Sequence, residues 1–293
     1  MKQERLKALD GTMLAAYTVG DTGMPVVLAN GLGGPFYTWR PLLEELEGIC
    51  RFYSWDYRGL YASEAPADRS SLTVEAAVDD QLVLMDRFGL EKVLVGGWSM
   101  GVQVALEFYR RHPDRVTGMI LMNGSYGRVF HTAFKTGVSG HLLPPAIRVA
   151  QQAAPVIGGL IRIVAGWPHT IPLASSLRLV DPGIDRALFQ DVAYDFGRLD
   201  LDLYFEALLR LGEHDAGDIL DEIDVPVLII AGEKDLMTPP EVTGKMLSEM
   251  PRAELFVVPR GTHYCLIEYP DLVSTRVKHF LKDHFAGGVD KAG

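Results

Sequence analysis

The sequence predicts an α/β fold with a mostly parallel central sheet, helices on both of its faces and an inserted helical segment. Two observations support this prediction. Short aliphatic runs alternate with amphipathic helical patterns near both ends of the 293-residue chain, but this alternation is lost in the middle. The predicted strands are also apolar on both faces, as strands are in a parallel sheet covered on two sides.

The first half of the chain accounts for most of the predicted sheet. Apolar residues recur at spacings of three and four over 71–88, which indicates an amphipathic helix, whereas the strand segments are short and rich in Val, Ile and Leu. In chain order we predict strands at 13–19 and 25–29, a helix at 38–47, a strand at 51–55, a helix at 71–88, a strand at 92–96, a helix at 101–111 and a strand at 116–123.

The alternation resumes near the carboxyl end, with strands predicted at 226–232 and 253–259 and helices at 239–250 and 271–285. Between about 125 and 217 no strand pattern occurs, and Pro, Gly and aromatic residues interrupt short helical patterns. Such a segment is too long for an ordinary loop. We therefore predict a helical cap over residues 125–215, inserted into a core formed by residues 1–124 and 216–293.

Composition excludes several classes of partner. A formal net charge of −10 argues against nucleic acid, because phosphate binding needs clustered Lys and Arg. Only two cysteines occur, Cys50 and Cys265, which indicates a reducing compartment rather than a disulfide scaffold. The charged amino terminus lacks the apolar core of a signal peptide, and the longest apolar stretch, 154–168, is short and contains Arg162. We expect a cytoplasmic protein without a transmembrane segment; oligomeric state is not predicted.

A serine lies between two glycines where a predicted strand meets a predicted helix. Gly97, Ser99 and Gly101 form the pattern G-x-S-x-G, which occurs once in the chain. A hydroxyl presented on a sharp strand-to-helix turn forces unfavourable dihedral angles on its own residue, and the flanking glycines allow strand and helix to approach closely. The pattern in this context predicts a nucleophilic serine.

A serine needs a base to remove its proton, and the base needs a third group to orient it. Asp235 follows the predicted strand 226–232, and His263 follows the predicted strand 253–259. Ligands gather at the carboxyl ends of parallel strands. The order Ser99, Asp235, His263 along the chain is the order expected for a nucleophile-elbow enzyme.

These motifs together resemble the α/β-hydrolase-fold serine hydrolases, the esterase- and lipase-like superfamily with a helical cap. The resemblance covers nearly the whole chain and is carried by NGLGG (30–34), WDYRGLYAS (55–63), GWSMG (97–101), GEKD (232–235) and GTHYCLIEYPDLV (261–273).

The resemblance implies an α/β-hydrolase fold with Ser99 as nucleophile, His263 as base and Asp235 as orienting acid. It also implies that the backbone amides of Leu32 and Met100 form the oxyanion hole. No cofactor is implied, because acyl transfer by these groups needs none.

The chain departs from its relatives in the oxyanion loop. They usually have His-Gly where this chain has Asn30-Gly31, and we expect the Asn30 amide to support the loop instead. In some relatives the acid follows the strand after the elbow helix, but that place is occupied by Asn123 here.

The predicted cap is rich in apolar residues and short of acids, which favours a small hydrophobic acyl or alkyl substrate. A cap helix resting on membrane lipid is an alternative use of the same residues. The residues expected to contact substrate are Trp98, Tyr126, Phe130, Met237 and Tyr264.

Several other polar residues have simpler explanations than catalysis. Asp56 and Arg58 are expected to form a structural ion pair or to anchor a loop. Cys265 is expected to fill space in the core. We expect surface positions for the cap histidines, and spacing typical of a zinc site does not occur. The cap histidines are His131, His141, His169 and His214.

The sequence therefore predicts a carboxylic ester hydrolase with a Ser-His-Asp triad. Lactone opening and hydrolysis of a carbon–carbon bond use the same groups and remain alternatives. An alternative of another class is a ligand-binding signalling protein that keeps the triad but turns over slowly.

Overall fold

A computed structural model describes residues 1–132 and 139–289. Residues 133–138, which fall in the predicted cap, and residues 290–293 lie outside this description. Within it, the chain forms one sheet of eight strands and twelve α-helices.

The sheet has the strand order β1-β2-β4-β3-β5-β6-β7-β8. β1 pairs antiparallel with β2, and β2 with β4, while the remaining neighbours are parallel. The strands are β1 (Lys2–Lys7), β2 (Met13–Val19), β3 (Met24–Ala29), β4 (Cys50–Trp55), β5 (Val93–Trp98), β6 (Val116–Met122), β7 (Val227–Gly232) and β8 (Ala253–Val258).

Helices follow most strands and cover both faces of the sheet. They are α1 (Arg40–Glu45), α2 (Val74–Arg87), α3 (Met100–Arg111), α4 (Val129–Thr132), α5 (Ser139–Gln152), α6 (Ala154–Ala165), α7 (Thr170–Ser176), α8 (Arg186–Phe196), α9 (Leu201–Glu213), α10 (Pro240–Glu249), α11 (Cys265–Glu268) and α12 (Pro270–Val289). The predicted elements are confirmed, with ends shifted by a few residues.

Both faces of the sheet are buried, as the all-apolar strands predicted. Val93 and Val95 of β5 pack into a hydrophobic cluster on one face, and Leu94 packs into the cluster on the other. β7 alternates between the two clusters in the same way. Because full burial of one such side chain contributes about 1.5–3 kcal/mol, these central strands hold the strand ends in a rigid frame.

The amino-terminal strand β1 has no counterpart in the sequence prediction. Its residues Lys2–Lys7 pair with β2 in a register that sets Leu6 opposite Leu14. Leu6 is the one buried residue of β1, and charged side chains occupy most other positions. A charged edge strand has no strong hydrophobic period, and pairing with β2 determines its conformation.

The segment between β6 and β7 contains the helices α4 to α9, and its described residues form no strand. A single β-bridge joins Gly127 near its start to Asp215 near its end. The segment therefore leaves and re-enters the sheet at neighbouring points. The division of the chain into core and cap stays a prediction.

Asp56 and Arg58 do not pair with each other. Arg58 forms two hydrogen bonds of 2.7 Å to the carboxylate of Asp80 and one of 2.5 Å to Asp10. Asp56 accepts hydrogen bonds from the Tyr17 hydroxyl at 2.7 Å and from a backbone amide, and burial raises its pKa to about 6. Each residue anchors the loop after β4 through a different partner, and Arg58 does so through ion pairs with Asp10 and Asp80, so the expected structural role is confirmed although the two residues do not pair with each other.

His214 is buried, contrary to the expected surface position, whereas the other three cap histidines are exposed. Its Nε2 lies 3.1 Å from a carboxylate oxygen of Glu107, and its Nδ1 lies 2.8 Å from the amide nitrogen of Gln103. Both partners belong to α3, so His214 fastens the end of α9 to the helix that follows the elbow.

In the part of the chain that the structure describes, no single helix is long and apolar enough to cross a membrane. The pair α6 and α7 reaches the necessary length and apolarity only when combined, and the two helices are bent by 106° at their junction.

Candidate active site

Ser99 occupies the turn between β5 and α3 with strained backbone angles. Its φ is 56° and its ψ is −115°, although it carries a side chain. Such a conformation costs of order 1–3 kcal/mol and persists only where the surroundings impose it. Here β5 and α3, both buried, impose it, and the serine is presented at the carboxyl edge of the sheet.

The two elbow glycines are required by close backbone contacts. A Cβ atom on Gly97 would lie 2.2 Å from the carbonyl oxygen of Gly101. A Cβ atom on Gly101 would lie 2.0 Å from the carbonyl oxygen of Ala29 in β3. Any side chain at either position would therefore force the helix away from the sheet and displace Ser99.

The structure brings together the three side chains predicted to form the triad. The Nε2 atom of His263 lies 2.9 Å from the Oγ atom of Ser99, and its Nδ1 atom lies 2.9 Å from the Oδ2 atom of Asp235. Asp235 follows β7 and His263 follows β8, so the three groups come from the carboxyl ends of three strands. This geometry allows a proton to pass from serine to imidazole while the carboxylate orients the ring.

The Asp235 carboxylate is buried and surrounded by donors. Its Oδ1 accepts from the backbone amides of Met237 at 2.8 Å and Thr238 at 3.0 Å, and its Oδ2 accepts from the Asn123 side-chain amide at 2.8 Å. Burial acts to raise the pKa of Asp235, but the facing His263 and these hydrogen bonds outweigh it and hold the pKa below its usual value. The carboxylate is therefore kept ionised beside the imidazole.

Asn123 belongs to the site, although the sequence analysis noted it only because it stands where some relatives carry the acid. It follows β6 with φ of 46°, in the left-handed region that asparagine tolerates. Its Nδ2 donates to Asp235, and its Oδ1 accepts from the Sγ of Cys265 at 2.7 Å. The sequence signal that could have identified Asn123 is its position directly after β6, the strand that neighbours β5 and Ser99 in the sheet.

Cys265 is buried, as expected, but it also makes this polar contact. Burial raises the pKa of its thiol well above the usual value, so the sulfur is a neutral donor and not a nucleophile.

A buried glutamate holds the turn that carries His263. The Glu268 carboxylate accepts from the backbone amide of Thr262 at 2.7 Å and from its hydroxyl at 2.6 Å. It also accepts from the backbone amide of Asp181 at 2.7 Å, a residue that lies between α7 and α8. Glu268 thus ties the histidine turn to the segment inserted between β6 and β7.

The loop after β3 lies beside Ser99 and is supported by Asn30 as predicted. The Asn30 side chain donates to the carbonyl of Trp55 at 3.0 Å and accepts from the indole of Trp39 at 2.9 Å. The next residue, Gly31, is close enough that a Cβ atom on it would lie 3.3 Å from the Cβ of Ser99.

The backbone amides of Leu32 and Met100 are available for a ligand. Neither donates a hydrogen bond to another group within the described residues. Met100 is the first residue of α3, where backbone amides have no partner within the helix. Their role as an oxyanion hole stays a prediction.

Two of the predicted substrate contacts adjoin the histidine. The Trp98 indole donates to the carbonyl of His263 at 3.0 Å, and the ring of Tyr264 lies 5.7 Å from that of Trp98. Trp98 also lies beneath the loop after β3, because a Cβ atom on Gly34 would be 2.4 Å from its ring. Trp98 is 4% exposed, so it supports the site from below.

The other three lie elsewhere. Met237 is partly exposed two residues beyond Asp235. Tyr126 lies under the ammonium group of Lys245, which is 4.5 Å from the ring centroid, and Phe130 packs tightly against Gly212 of α9. Substrate contact by these three residues stays a prediction. Among the described residues, no three His, Cys, Asp or Glu side chains converge to hold a metal ion.

Comparison with known proteins agrees with this architecture. The family described as the α/β hydrolase fold matches residues 24–140, and the family described as TAP-like protein matches residues 212–290. The provisionally named carbamate hydrolase RutD of Agrobacterium fabrum is 27% identical over 258 residues, which cover 87% of this chain and 92% of that protein.

Solved structures show the same fold along almost the whole chain. An esterase from Exiguobacterium antarcticum superposes with a TM-score of 0.77 at 22% identity, covering 96% of this chain and 100% of the esterase. The enol-lactonase from Burkholderia xenovorans superposes with a TM-score of 0.71 at 23% identity, covering 95% of this chain and 100% of the lactonase. The chain therefore has the α/β-hydrolase fold, and the matches with known proteins support a hydrolase of that fold.

Proposed function

We propose that this protein is a serine hydrolase that cleaves a carboxylic ester, or a related acyl bond, of a small hydrophobic substrate through an acyl-enzyme. The observation that carries the proposal is the continuous hydrogen-bonded chain from the Asp235 carboxylate through His263 to the Ser99 hydroxyl, with 2.9 Å at each junction. Both nitrogens of the imidazole are engaged, so the ring is held in one orientation.

The first half of the reaction follows from these contacts. Nε2 of His263 takes the proton of Ser99 as Oγ attacks the substrate carbonyl carbon. The positive charge that forms on the imidazole is stabilised by Asp235, whose low pKa keeps it ionised. The same Nε2 then donates its proton to the departing alkoxide, and the acyl group stays on Oγ. Water activated by His263 releases the acid in the second half.

The negative charge on the substrate oxygen in each tetrahedral intermediate needs donors that are already in place. The amides of Leu32 and Met100 are suited to this role, since neither is used within the protein. Loss of one such donor typically raises the barrier by about 3–4 kcal/mol. Support of the loop by Asn30 and Trp98 favours a fixed geometry for the Leu32 amide.

The helices between β6 and β7 reach the site and support the cap role proposed for residues 125–215. A Cβ atom on Gly33 would lie within 2.9 Å of the rings of Phe196 and Tyr204, at the end of α8 and in α9. Aromatic side chains therefore cover the oxyanion loop, which favours a substrate with an apolar acyl or alcohol group. Lactone and carbamate substrates fit the same chemistry, as the names of the relatives suggest.

Labelling and turnover test this proposal. The wild-type protein should react with a fluorophosphonate and hydrolyse p-nitrophenyl esters over many turnovers, with a preferred chain length between acetate and dodecanoate. Ser99→Ala should abolish labelling and lower kcat by roughly 10⁴- to 10⁶-fold. The matched control, Ser248→Ala on the exposed surface of α10, should behave as wild type.

Two results would contradict the proposal. Near-wild-type turnover by Ser99→Ala would show that another nucleophile acts. Rapid labelling of wild type followed by no more than one turnover on every ester would indicate the ligand-binding alternative.

A further inference from the structure

The helix α6 buries small residues and exposes large apolar ones, which is the reverse of an ordinary surface helix. Its small residues, Ala154, Gly158 and Ala165, are buried against the rest of the protein, and Gly158 packs on Leu201 of α9. Four of its large aliphatic residues, Val156, Leu160, Ile163 and Val164, are exposed, whereas Ile157 and Ile161 are half-buried. A surface helix normally buries its large apolar residues and exposes its polar ones, so the outward face of α6 is suited to an apolar environment.

We call this outward surface the outer cap face and define it by Val149, Val156, Leu160, Ile163 and Trp167. The four from Val156 to Trp167 are spaced by four, three and four residues, which places them on one side of the helix and its continuation. Leu160 is 57% exposed, Ile163 is 72% exposed and Trp167 is 48% exposed. Beyond the 106° bend, Leu173 of α7 and Leu177, the residue after the end of α7, are also exposed.

The segment that carries this face has a charge opposite to that of the rest of the chain. Residues 139–180 contain three arginines and no aspartate or glutamate, so their formal charge is +3. Because the whole chain has a formal charge of −10, the remainder of the chain carries −13. The arginines are Arg148, Arg162 and Arg178, and none of them forms an ion pair within the described residues. Arg162 is exposed on α6, but it lies on the side of the helix that packs against Gly197 at the end of α8, so the cationic group and the outward apolar side chains occupy different sides of α6.

We propose that the outer cap face binds the surface of an anionic lipid membrane, with its aliphatic and indole side chains in the headgroup region and its arginines near lipid phosphates. Large apolar residues on one face of a helix, with Arg on its other face, are typical of helices that lie in the membrane plane. The anionic remainder of the protein is repelled from such a surface, so the charge distribution orients the molecule with the cap toward the lipid.

Charge complementarity favours lipid over a second copy of this chain. In a two-fold dimer through this face, each segment 139–180, with its charge of +3, would meet the same cationic segment of the other copy. An anionic lipid surface presents the opposite charge and an apolar interior. Because α6 packs on α8 and α9, whose aromatic rings cover the oxyanion loop, lipid at this face would lie on the cap side of the triad.

Sedimentation with vesicles tests the proposal. The full chain is mixed with vesicles of phosphatidylcholine containing about a third phosphatidylglycerol, and with vesicles of phosphatidylcholine alone. We expect binding to the anionic vesicles that is at least about tenfold tighter and weakens with added salt. Leu160→Gln combined with Ile163→Gln should weaken it by about tenfold or more. Arg148→Gln combined with Arg162→Gln should remove most of the preference for anionic lipid.

Matched controls separate the face from general hydrophobicity. Leu9→Gln combined with Val257→Gln removes two exposed apolar side chains from strand regions remote from α6, and it should bind vesicles as wild type does. Ser99→Ala should also bind normally, so the result is independent of the proposed hydrolysis. Circular dichroism melts should match wild type for the α6 variant, because both replaced side chains are mostly exposed.

Three results would overturn the proposal. They are failure of the wild-type protein to bind anionic vesicles, equal binding to neutral and anionic vesicles, and equal loss of binding in the Leu9/Val257 control. A wild-type dimer in analytical ultracentrifugation that the Leu160/Ile163 variant converts to monomer, without vesicle binding, would assign the face to a second copy instead.

Discussion

Replacement of Asn123 by glycine removes one hydrogen bond to the acid, together with the contacts of the same amide to Thr262 and Cys265. The Nδ2 atom of Asn123 donates to the Asp235 carboxylate at 2.8 Å and to the Thr262 carbonyl at 3.2 Å. Glycine removes the side chain but accepts the backbone φ of 46° without strain. The Asn123→Gly protein should therefore keep its fold and lose a donor to the ionised carboxylate.

The size of the effect follows from the charge on the acceptor. A hydrogen bond to a charged group contributes about 1.5–3 kcal/mol, so the pKa of Asp235 should rise by about one to two pH units. A more basic carboxylate binds the protonated imidazole of His263 more tightly. We expect kcat/KM to fall by about tenfold or more at mildly acidic pH, with its acid limb shifted upward.

The stability of the protein should respond with a defined sign. The folded pKa of Asp235 is depressed, so the carboxylate contributes stability above its unfolded pKa, and this contribution is lost as the pH falls through the folded value. Asn123→Gly should reduce that contribution at neutral pH and leave less to lose on acidification. Urea unfolding at pH 7 and at about pH 3, below the ordinary carboxyl pKa, measures both.

The assay is the pH profile of kcat/KM for the best p-nitrophenyl ester, measured beside two controls. Cys265→Ala removes the thiol at the opposite end of the same amide, and it should change kcat/KM by less than about threefold because Nδ2 still donates to Asp235. Asn123→Ala adds about 1–2 kcal/mol of left-handed backbone strain, visible in unfolding but absent from Asn123→Gly. A glycine variant with the wild-type pH profile and kcat/KM would refute this role.

Two further substitutions test contacts around the site. Glu268→Gln places an amide NH₂ group against backbone amides from which the carboxylate accepts hydrogen bonds. We expect the melting temperature to fall by about 2–6 °C and kcat to decrease, because Thr262 precedes His263. An unchanged melting temperature would contradict this. Gly97→Ala should lower the free energy of unfolding in urea by roughly 3 kcal/mol, because its Cβ would meet the Gly101 carbonyl at 2.2 Å. The control is Gly159→Ala in α6, where a Cβ atom would meet no other atom within 4 Å, and it should stabilise the protein by about 0.5–1 kcal/mol. Equal effects at the two glycines would be inconsistent with the steric argument.

The sequence by itself predicted the features that are encoded locally. Strand and helix order follows from hydrophobic period, and the elbow follows from two glycines within two residues of Ser99. Asp235 and His263 were found because each follows a strongly apolar strand. The edge strand β1 was missed because its charged residues leave no period to read.

Only the tertiary structure decided which distant groups meet. Arg58 pairs with Asp80, 22 residues away, and not with Asp56, which is two residues away. Asn123 meets Asp235 across 112 residues and Cys265 across 142. Hydrophobic periodicity states which residues prefer burial, but the partner of a buried polar group depends on where the sheet places other strand ends. The same reason applies to α6. Its composition indicated an apolar helix, but its packing on α8 and α9 decided that Val156, Leu160 and Ile163 face outward.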